Sequence, residues 1–338
     1  MIIVATVGPN IKAKSVLREI IEEGVGVLRF NFSHGDINDF NKILENAREI
    51  KKDIHIMQDL SGRKIRVSKK LQYIFKLYNN EEVLFCGYDK YINTKISLCS
   101  RKMIPLNITL EELLKGYFNE ISMKDGSIRF KVISKNDYGI VGKVIKGGIV
   151  RADKGCNIRN FNRINLGLSK KDKEDIKWAI DKKADIICQS YVESKKDMKE
   201  VKNHFESINF DENYNPEFWA KIENKQGVRN INEILKVCDG IVIGRGDLIP
   251  EVSLLETPIH EEKIINKTLM NKKKVIVATH ILDSMKNGRS PEISEVEAIY
   301  NYINKGVHGF MFAGETSVGR APIKTVKFIK KAVTYYEK

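Results

Sequence analysis

Two kinds of pattern alternate along most of this chain. Eight short runs, Ile2–Ala5, Gly26–Phe30, Ile54–Met57, Ala184–Cys188, Phe218–Ile222, Gly240–Ile243, Lys274–Ala278 and Gly309–Phe312, are apolar at odd and even positions alike, as strands buried on both faces are. Stretches with the helical apolar period accompany them: Ala13–Glu23, Ile37–Ile50, Lys171–Lys182, Ser194–Phe205, Gly227–Val237, Pro258–Asn271, Ser294–Lys305 and Ala321–Tyr336. Strand-then-helix units predict a parallel sheet covered by helices, and eight closing on themselves predict an α/β fold of the TIM (β/α)8 barrel class. One segment breaks the rhythm. From Ser68 to about Leu166, short alternating runs such as Val83–Cys86, Ile128–Ile133 and Gly139–Val144 are divided by turn signals at Tyr78-Asn79-Asn80, Lys124-Asp125-Gly126 and Gly147-Gly148. The expected organisation is a barrel of residues 1–67 and 167–338, with a small β-rich domain of residues 68–166 inserted after strand three as a lid.

In such a barrel the chemistry collects at the C-terminal strand ends. Arg29, Asp59, Ser190, Lys221, Glu223, Asp247, Thr279 and Glu315 fall there by this count. Phe218–Asn224 reads as a strand ending in charge, and the two-residue period puts Lys221 and Glu223 on one side. Asp239–Asp247 reads as a second buried strand running into Gly244, Gly246 and Asp247. Glu223 with Asp247 is a minimal oxygen set for Mg²⁺, which takes one or two carboxylates and completes its shell with water and substrate. The plain alternative is a surface Lys-x-Glu pair and an unrelated loop aspartate. Lys221 suits negative charge developing on a reacting group.

Residues 29–35, Arg-Phe-Asn-Phe-Ser-His-Gly, offer Arg29 as a phosphate clamp and Asn31 and Ser33 as oxygen ligands, or else Asn31 or Ser33 as a helix cap ahead of Asp36. His34 alone says little. Arg63, Lys64 and Arg66 follow Asp59 and suit either a polyanion or a solvated hinge. Thr279 ends its strand in a hydroxyl, or is a simple β-former.

Charge and cysteine usage narrow the partners. The formal charge of +14 over 338 residues suits anionic ligands, and no nucleic-acid module signature accompanies it. No run approaches the roughly 18 apolar residues of a membrane helix. The five cysteines form no CxxC, which reads as reduced thiols in a cytoplasmic protein without zinc.

These stretches, in order, resemble the pyruvate kinase family. The resemblance rests on Thr6-Val-Gly-Pro9, Arg29-Phe-Asn-Phe-Ser-His-Gly35, Lys64-Ile-Arg66, Asp125-Gly126, Lys154-Gly155, Ser169-Lys-Lys-Asp172, Lys221-Ile-Glu-Asn224, Gly227-Val228, Arg245-Gly-Asp-Leu248, Ala278-Thr279, Ser284-Met285 and Gly314-Glu-Thr316. It implies Mg²⁺-dependent (or Mn²⁺-dependent) phosphoryl transfer between phosphoenolpyruvate and ADP, giving pyruvate and ATP. It implies that Glu223 and Asp247 hold the divalent ion, that Lys221 steadies the phosphoryl in flight and that Arg29 clamps it. Thr279 matches the position that binds the substrate carboxylate and relays a proton. Gly246 and Asp247 match amides facing that carboxylate, and Ser190 a hydroxyl near the metal. His34, Arg66 and Lys154, with Asn31, match nucleotide contacts.

Asn31, Ser33, Asp59 and Leu60 match the monovalent-cation position. Lys64 stands where the resemblance implies a lysine in members that need no K⁺. Leu60 and Val67 agree with that type, and Ser61 agrees with neither. Two cations a few ångströms apart repel by several kcal/mol at an effective dielectric near 20, so Lys64 is expected to serve the position and K⁺ not to be required.

The chain stops at Lys338, at the end of the eighth helical pattern, so the expected form is compact, without the family's C-terminal regulatory domain, and a homodimer or monomer. Departures cluster near the last strands: His280 for Gln, Glu292-Ile-Ser-Glu295 for Thr-Arg-Ala-Glu, Ala298 for Asp, Ile249 for Gly and Val318 for Lys. They keep a second reading open, a divergent paralogue that passes phosphoryl from a nucleotide or phosphoenolpyruvate to a different hydroxyl acceptor. A third, a non-catalytic binding protein on this fold, sits poorly with charges that cost stability to bury.

Overall fold

A computed structural model of the chain describes every residue but 93–100, 125, 162, 164, 165, 210 and 338. Cys99 and Asp125 therefore lie outside the described residues. Contacts divide the chain into two compact units: residues 1–62, 166–246 and 258–338 form the first, residues 63–165 and 247–257 the second.

The first unit is a closed barrel of eight parallel strands, Ile2–Thr6, Val27–Asn31, His55–Leu60, Ile186–Gln189, Glu217–Ile222, Gly240–Gly244, Lys274–Ala278 and Gly309–Phe312. Each pairs with its neighbour in this order, and Ile2–Ala5 aligned with Gly309–Phe312 closes the ring. The TIM-barrel expectation holds to within a few residues at each strand. Side chains at every second position point inward, and Val4, Val27, Met57, Ile186, Cys188, Trp219, Val242, Ile276, Ala278 and Met311 pack into one interior cluster. Burying one such side chain stabilises the fold by about 1.5–3 kcal/mol, so the strands are held by what they enclose.

The long helices follow the sequence pattern, while the short helices Leu110–Lys115, Asp283–Lys286 and Gly314–Ser317 lie outside the predicted stretches, and two further regions differ. Gly227–Val237 is not one helix but two, Lys225–Arg229 and Ile231–Leu235. Asn230 between them has a non-helical backbone, and its side chain donates to the Glu193 carbonyl at 2.8 Å, a local bond that competes with helix continuation. Arg245–Val252, which the sequence reading left without an element, is a helix that contains Pro250 and puts Asp247 in its first turn. The cap of Ile37–Ile50 is Asp36 itself, which accepts from the Asn38 and Asp39 amides; neither Asn31 nor Ser33 plays that part.

The second unit carries a seven-stranded sheet, in order Ile65–Arg66, Gly155–Ile158, Glu120–Met123, Ile128–Asn136, Gly139–Lys146, Glu82–Gly87 and Lys102–Leu106. Its pairings are antiparallel except the last. A two-stranded ribbon joins Phe75–Leu77 to Gly148–Val150. Among the described residues no helix is long and apolar enough to cross a membrane. Four described cysteines, Cys86, Cys156, Cys188 and Cys238, are buried free thiols.

Candidate active site

The two-residue period that builds the barrel interior also builds its C-terminal rim. Two positions beyond Val4, Val27, Met57, Cys188 and Trp219 stand Thr6, Arg29, Asp59, Ser190 and Lys221, and Glu223 follows Lys221. The inward face thus turns from apolar to charged within one pleat. Arg29 Nε donates to Asp59 Oδ2 at 2.6 Å, Nη2 lies 2.6 Å from the same oxygen, and Nη1 donates to Thr6 Oγ1 at 2.7 Å. Ser190 Oγ donates to Asp59 Oδ1 at 2.8 Å. Lys221 Nζ sits 3.3 Å from Asp59 Oδ2 and 3.3 Å from Glu223 Oε1, with Ser190 Oγ at 3.4 Å. The Tyr191 amide donates to Glu223 Oε2 at 2.9 Å.

Two cations and two carboxylates therefore balance, and Asp59 and Glu223 are almost wholly buried. Burial pushes the Asp59 carboxyl up, but Lys221 and Arg29 together with the Ser190 hydroxyl outweigh it and hold it below its usual range. Burial likewise pulls the Lys221 ammonium down, and Asp59 and Glu223 outweigh that and keep it raised. Both groups are thereby held in their charged forms. Two glycines make room for it. A Cβ on Gly244 would come within 2.6 Å of the Glu223 side chain, and one on Gly62, whose φ is +64°, within 2.2 Å of the Ser190 carbonyl.

At the end of the seventh strand Thr279 and His280 have φ of +66° and +53°, the left-handed region, which is a genuine outlier for β-branched threonine. Thr279 Oγ1 accepts from the Gly246 amide at 2.8 Å and donates to the Ala278 carbonyl at 2.6 Å. Arg245 holds the strained pair from behind: Nε donates to the Thr279 carbonyl at 2.9 Å, and Nη2 bonds the carbonyls of Thr279 and His280. Tyr302 receives Arg245 Nη1 at 3.1 Å and donates to Glu261 at 2.5 Å. His280 Nδ1 lies 2.5 Å from Asp283, whose carboxyl that histidine holds low.

The second unit has its own cluster. Lys64 Nζ donates to both oxygens of Asp247, at 2.8 and 2.7 Å. Asn157 Nδ2 reaches Asp247 Oδ1 at 3.2 Å and Glu251 Oε1 at 3.5 Å. Arg163 Nη2 pairs with Glu251 Oε1 at 2.8 Å, with both side chains almost fully buried. Arg66 lies on the sheet's first strand, and Lys154 immediately precedes the strand paired with it. Arg66 Nη1 donates to the Asp153 carbonyl at 3.1 Å, and Lys154 Nζ donates to the Ile149 carbonyl. Burial, Lys124 and Arg151 lower the Lys154 ammonium's pKa.

The structure thus brings Arg29, Asp59, Ser190, Lys221 and Glu223 together, joins Gly246 to Thr279, and joins Lys64 to Asp247. Glu223 belongs to the first unit and Asp247 to the second. Asn31 Oδ1 accepts from the Ser33 amide at 3.1 Å, His34 is exposed, and Leu60 is wholly buried at the end of the third strand. Sequence reasoning missed Thr6 as a site residue, although its place two positions past Val4 was the available signal. It also missed Asn157, Arg163, Glu251, Tyr302 and Glu261, for which no local signal existed.

A closed eight-stranded barrel with a buried, charge-balanced set at its strand ends is the frame of an enzyme acting on a charged substrate. This chain belongs to the pyruvate kinase family, since residues 1–326 match the family model described as "Pyruvate kinase, barrel domain". It is 32% identical to pyruvate kinase of Thermococcus litoralis over 97% of this chain and 68% of that one. Against the Clostridium perfringens pyruvate kinase the identity is 31%, covering 94% of this chain and 66% of the relative. Against the Bacillus licheniformis pyruvate kinase it is 33%, covering 96% of this chain and 55% of the relative. The chain spans between about half and two thirds of the length of most relatives it matches.

Proposed function

We propose that this chain catalyses phosphoryl transfer between phosphoenolpyruvate and ADP, with Mg²⁺ or Mn²⁺ as cofactor. The observation that carries the reading is the buried set of Arg29, Asp59, Lys221 and Glu223 at the barrel's strand ends. Phosphoryl transfer needs mostly positioning and charge neutralisation, and a preformed set of fixed charges supplies both. Arg29 uses three of its five N–H donors on Asp59 and Thr6, which leaves two for an anionic oxygen. Lys221 holds its partners at 3.3–3.4 Å, long for a charge-assisted bond, so its ammonium can turn to a phosphoryl oxygen.

Glu223 and Asp247 would hold the divalent ion. Both are hard oxygen donors, the kind that Mg²⁺ takes with water and substrate completing its shell. Bound there, the ion would supply Lewis-acid charge to the transferring group. Gly246 and Thr279 would bind the substrate carboxylate, and the Thr279 hydroxyl would relay a proton to the enol carbon. Arg66, Lys154, His34 and Asn31 meet the nucleotide, and K⁺ is not required. Asp59, the one charged member of the monovalent-cation set, is already neutralised by Arg29 and Lys221. The protein acts in the cytoplasm as a homodimer or monomer.

The paralogue reading draws on one observation: His280, locked to Asp283 beside the strained Thr279, gives the carboxylate end of the pocket a different lining from the family's glutamine. A coupled assay for pyruvate from phosphoenolpyruvate and ADP, run in tetramethylammonium buffer with and without K⁺, tests the proposal. Turnover in both buffers is expected. No pyruvate under any metal condition would refute the main reading in favour of the paralogue, and tenfold activation by K⁺ would refute the cation assignment.

A further inference from the structure

Lys64 and Asp247 are 183 residues apart in sequence and meet in the second unit as a two-pronged ion pair, with the lysine side chain only 19% and the aspartate 13% exposed. Asp247 sits in the first turn of the Arg245–Val252 helix. The pair is also sterically prepared. Gly155, across from Arg66 in the sheet, lies under the lysine stem, and a Cβ there would come within 2.6 Å of Lys64 Cε and 3.3 Å of Nζ. Asn157, two residues on, holds Asp247 Oδ1 at 3.2 Å. One strand thus supplies both the floor for the lysine and a neutral donor to its partner.

We propose that Lys64 is a built-in counter-ion of Asp247 that a divalent metal must displace, so that metal loading and lysine release are one exchange. The proposal rests on the reading of Asp247 as a metal ligand. An ammonium at 2.7–2.8 Å from both carboxylate oxygens occupies the lone pairs that Mg²⁺ would use at about 2.1 Å. The two cations also repel, so the lysine opposes metal binding at these oxygens. No bond other than the ion pair and the coordination bond changes: Lys64 leaves as an ammonium still carrying its proton, and Asp247 stays a carboxylate throughout. A lysine is suited to this because it is a point charge on a four-carbon stem, free to swing once released. Without metal, the pair keeps a half-buried carboxylate from standing uncompensated. With metal, the affinity is reduced by the work of opening the pair.

The test is Mn²⁺ binding to the substrate-free protein, followed by the electron-spin-resonance signal of free Mn²⁺. Lys64→Met is expected to bind Mn²⁺ at least tenfold more tightly than wild type and to lose thermal stability in chelator, with Mn²⁺ restoring it. Gly155→Ala keeps the charge but crowds the stem, and is expected to tighten Mn²⁺ by a smaller factor in the same direction. Asp247→Asn is expected to weaken binding at least tenfold. If Asp247→Asn weakens binding while Lys64→Met and Gly155→Ala leave it unchanged or weaken it, the counter-ion proposal is wrong and the metal reading stands. If Asp247→Asn leaves Mn²⁺ affinity untouched, the metal reading itself fails. Should Lys64→Met not fold, Gly155→Ala alone decides, since tightening supports the exchange and no change refutes it.

Discussion

Two groups of buried charge in this molecule are balanced in different ways. At the barrel rim the charges are shared: Asp59 takes Arg29, Lys221 and Ser190 at once, and Lys221 divides itself between Asp59 and Glu223. In the second unit each carboxylate has its own cation, Lys64 for Asp247 and Arg163 for Glu251, with Asn157 bridging the two acids. A shared network tolerates the loss of one member because the others still compensate. In a close ion pair, removing one partner takes the nearest opposite charge from a buried group. The shared arrangement also has longer contacts, 3.3–3.4 Å around Lys221 against 2.8 Å for the Arg163–Glu251 pair. Charge at the barrel rim is thus spread over several partners, and charge in the second unit is held in close ion pairs.

The largest expected effect tests the private pair. Arg163→Met should destabilise the protein by about 3–5 kcal/mol in urea unfolding, while Arg163→Met with Glu251→Leu should recover most of the loss, because the cost lies in the orphaned carboxylate. Equal losses in the single and double variants would break the contrast.

Next comes the shared set. Lys221→Met should cost only about 2–3 kcal/mol of stability, less than the single Arg163 variant, since Asp59 keeps Arg29 and Ser190 and Glu223 keeps the Tyr191 amide. Phosphoryl transfer should be abolished while proton exchange at the methyl group of pyruvate survives. A stability loss as large as that of Arg163→Met would mean the sharing compensates nothing.

The smallest effect sharpens the comparison with a carboxylate that has no cation of its own. Asp172 accepts from Ser169 Oγ at 2.8 Å and from the Gly62 amide at 3.3 Å, and burial pushes its pKa up to about 6 against those bonds. A carboxyl with a raised folded-state pKa takes up a proton on folding between its ordinary value near 3.8 and about 6, so stability falls as pH rises through that window and levels off above it. Asp172→Asn keeps an acceptor for the Gly62 amide and should remove that fall, gaining about 2 kcal/mol on wild type at pH 7 relative to pH 4. Parallel pH profiles of the urea midpoint for the two proteins would contradict the assignment.

The barrel was legible in the chain because its rules are local. A strand buried on both faces must be apolar throughout, a helix laid on it must repeat every turn, and the same two-residue period carries Val27 to Arg29, Met57 to Asp59 and Trp219 to Lys221. The proximity of Lys221 and Glu223 follows from that period alone. Where a local rule met a tertiary partner, the reading failed: Asn230 breaks a helix to reach Glu193, and Arg245–Val252 forms a helix across a glycine and a proline because Leu248, Glu251 and Val252 are buried. The Lys64–Asp247, Arg163–Glu251 and Arg245–Tyr302 pairings span 183, 88 and 57 residues, and no periodicity reaches that far. Strand and helix periods are properties of the backbone and are written in adjacent residues. Which cation neutralises which carboxylate depends on distances that exist only after the chain has closed, and these decided that Lys64 lies on Asp247.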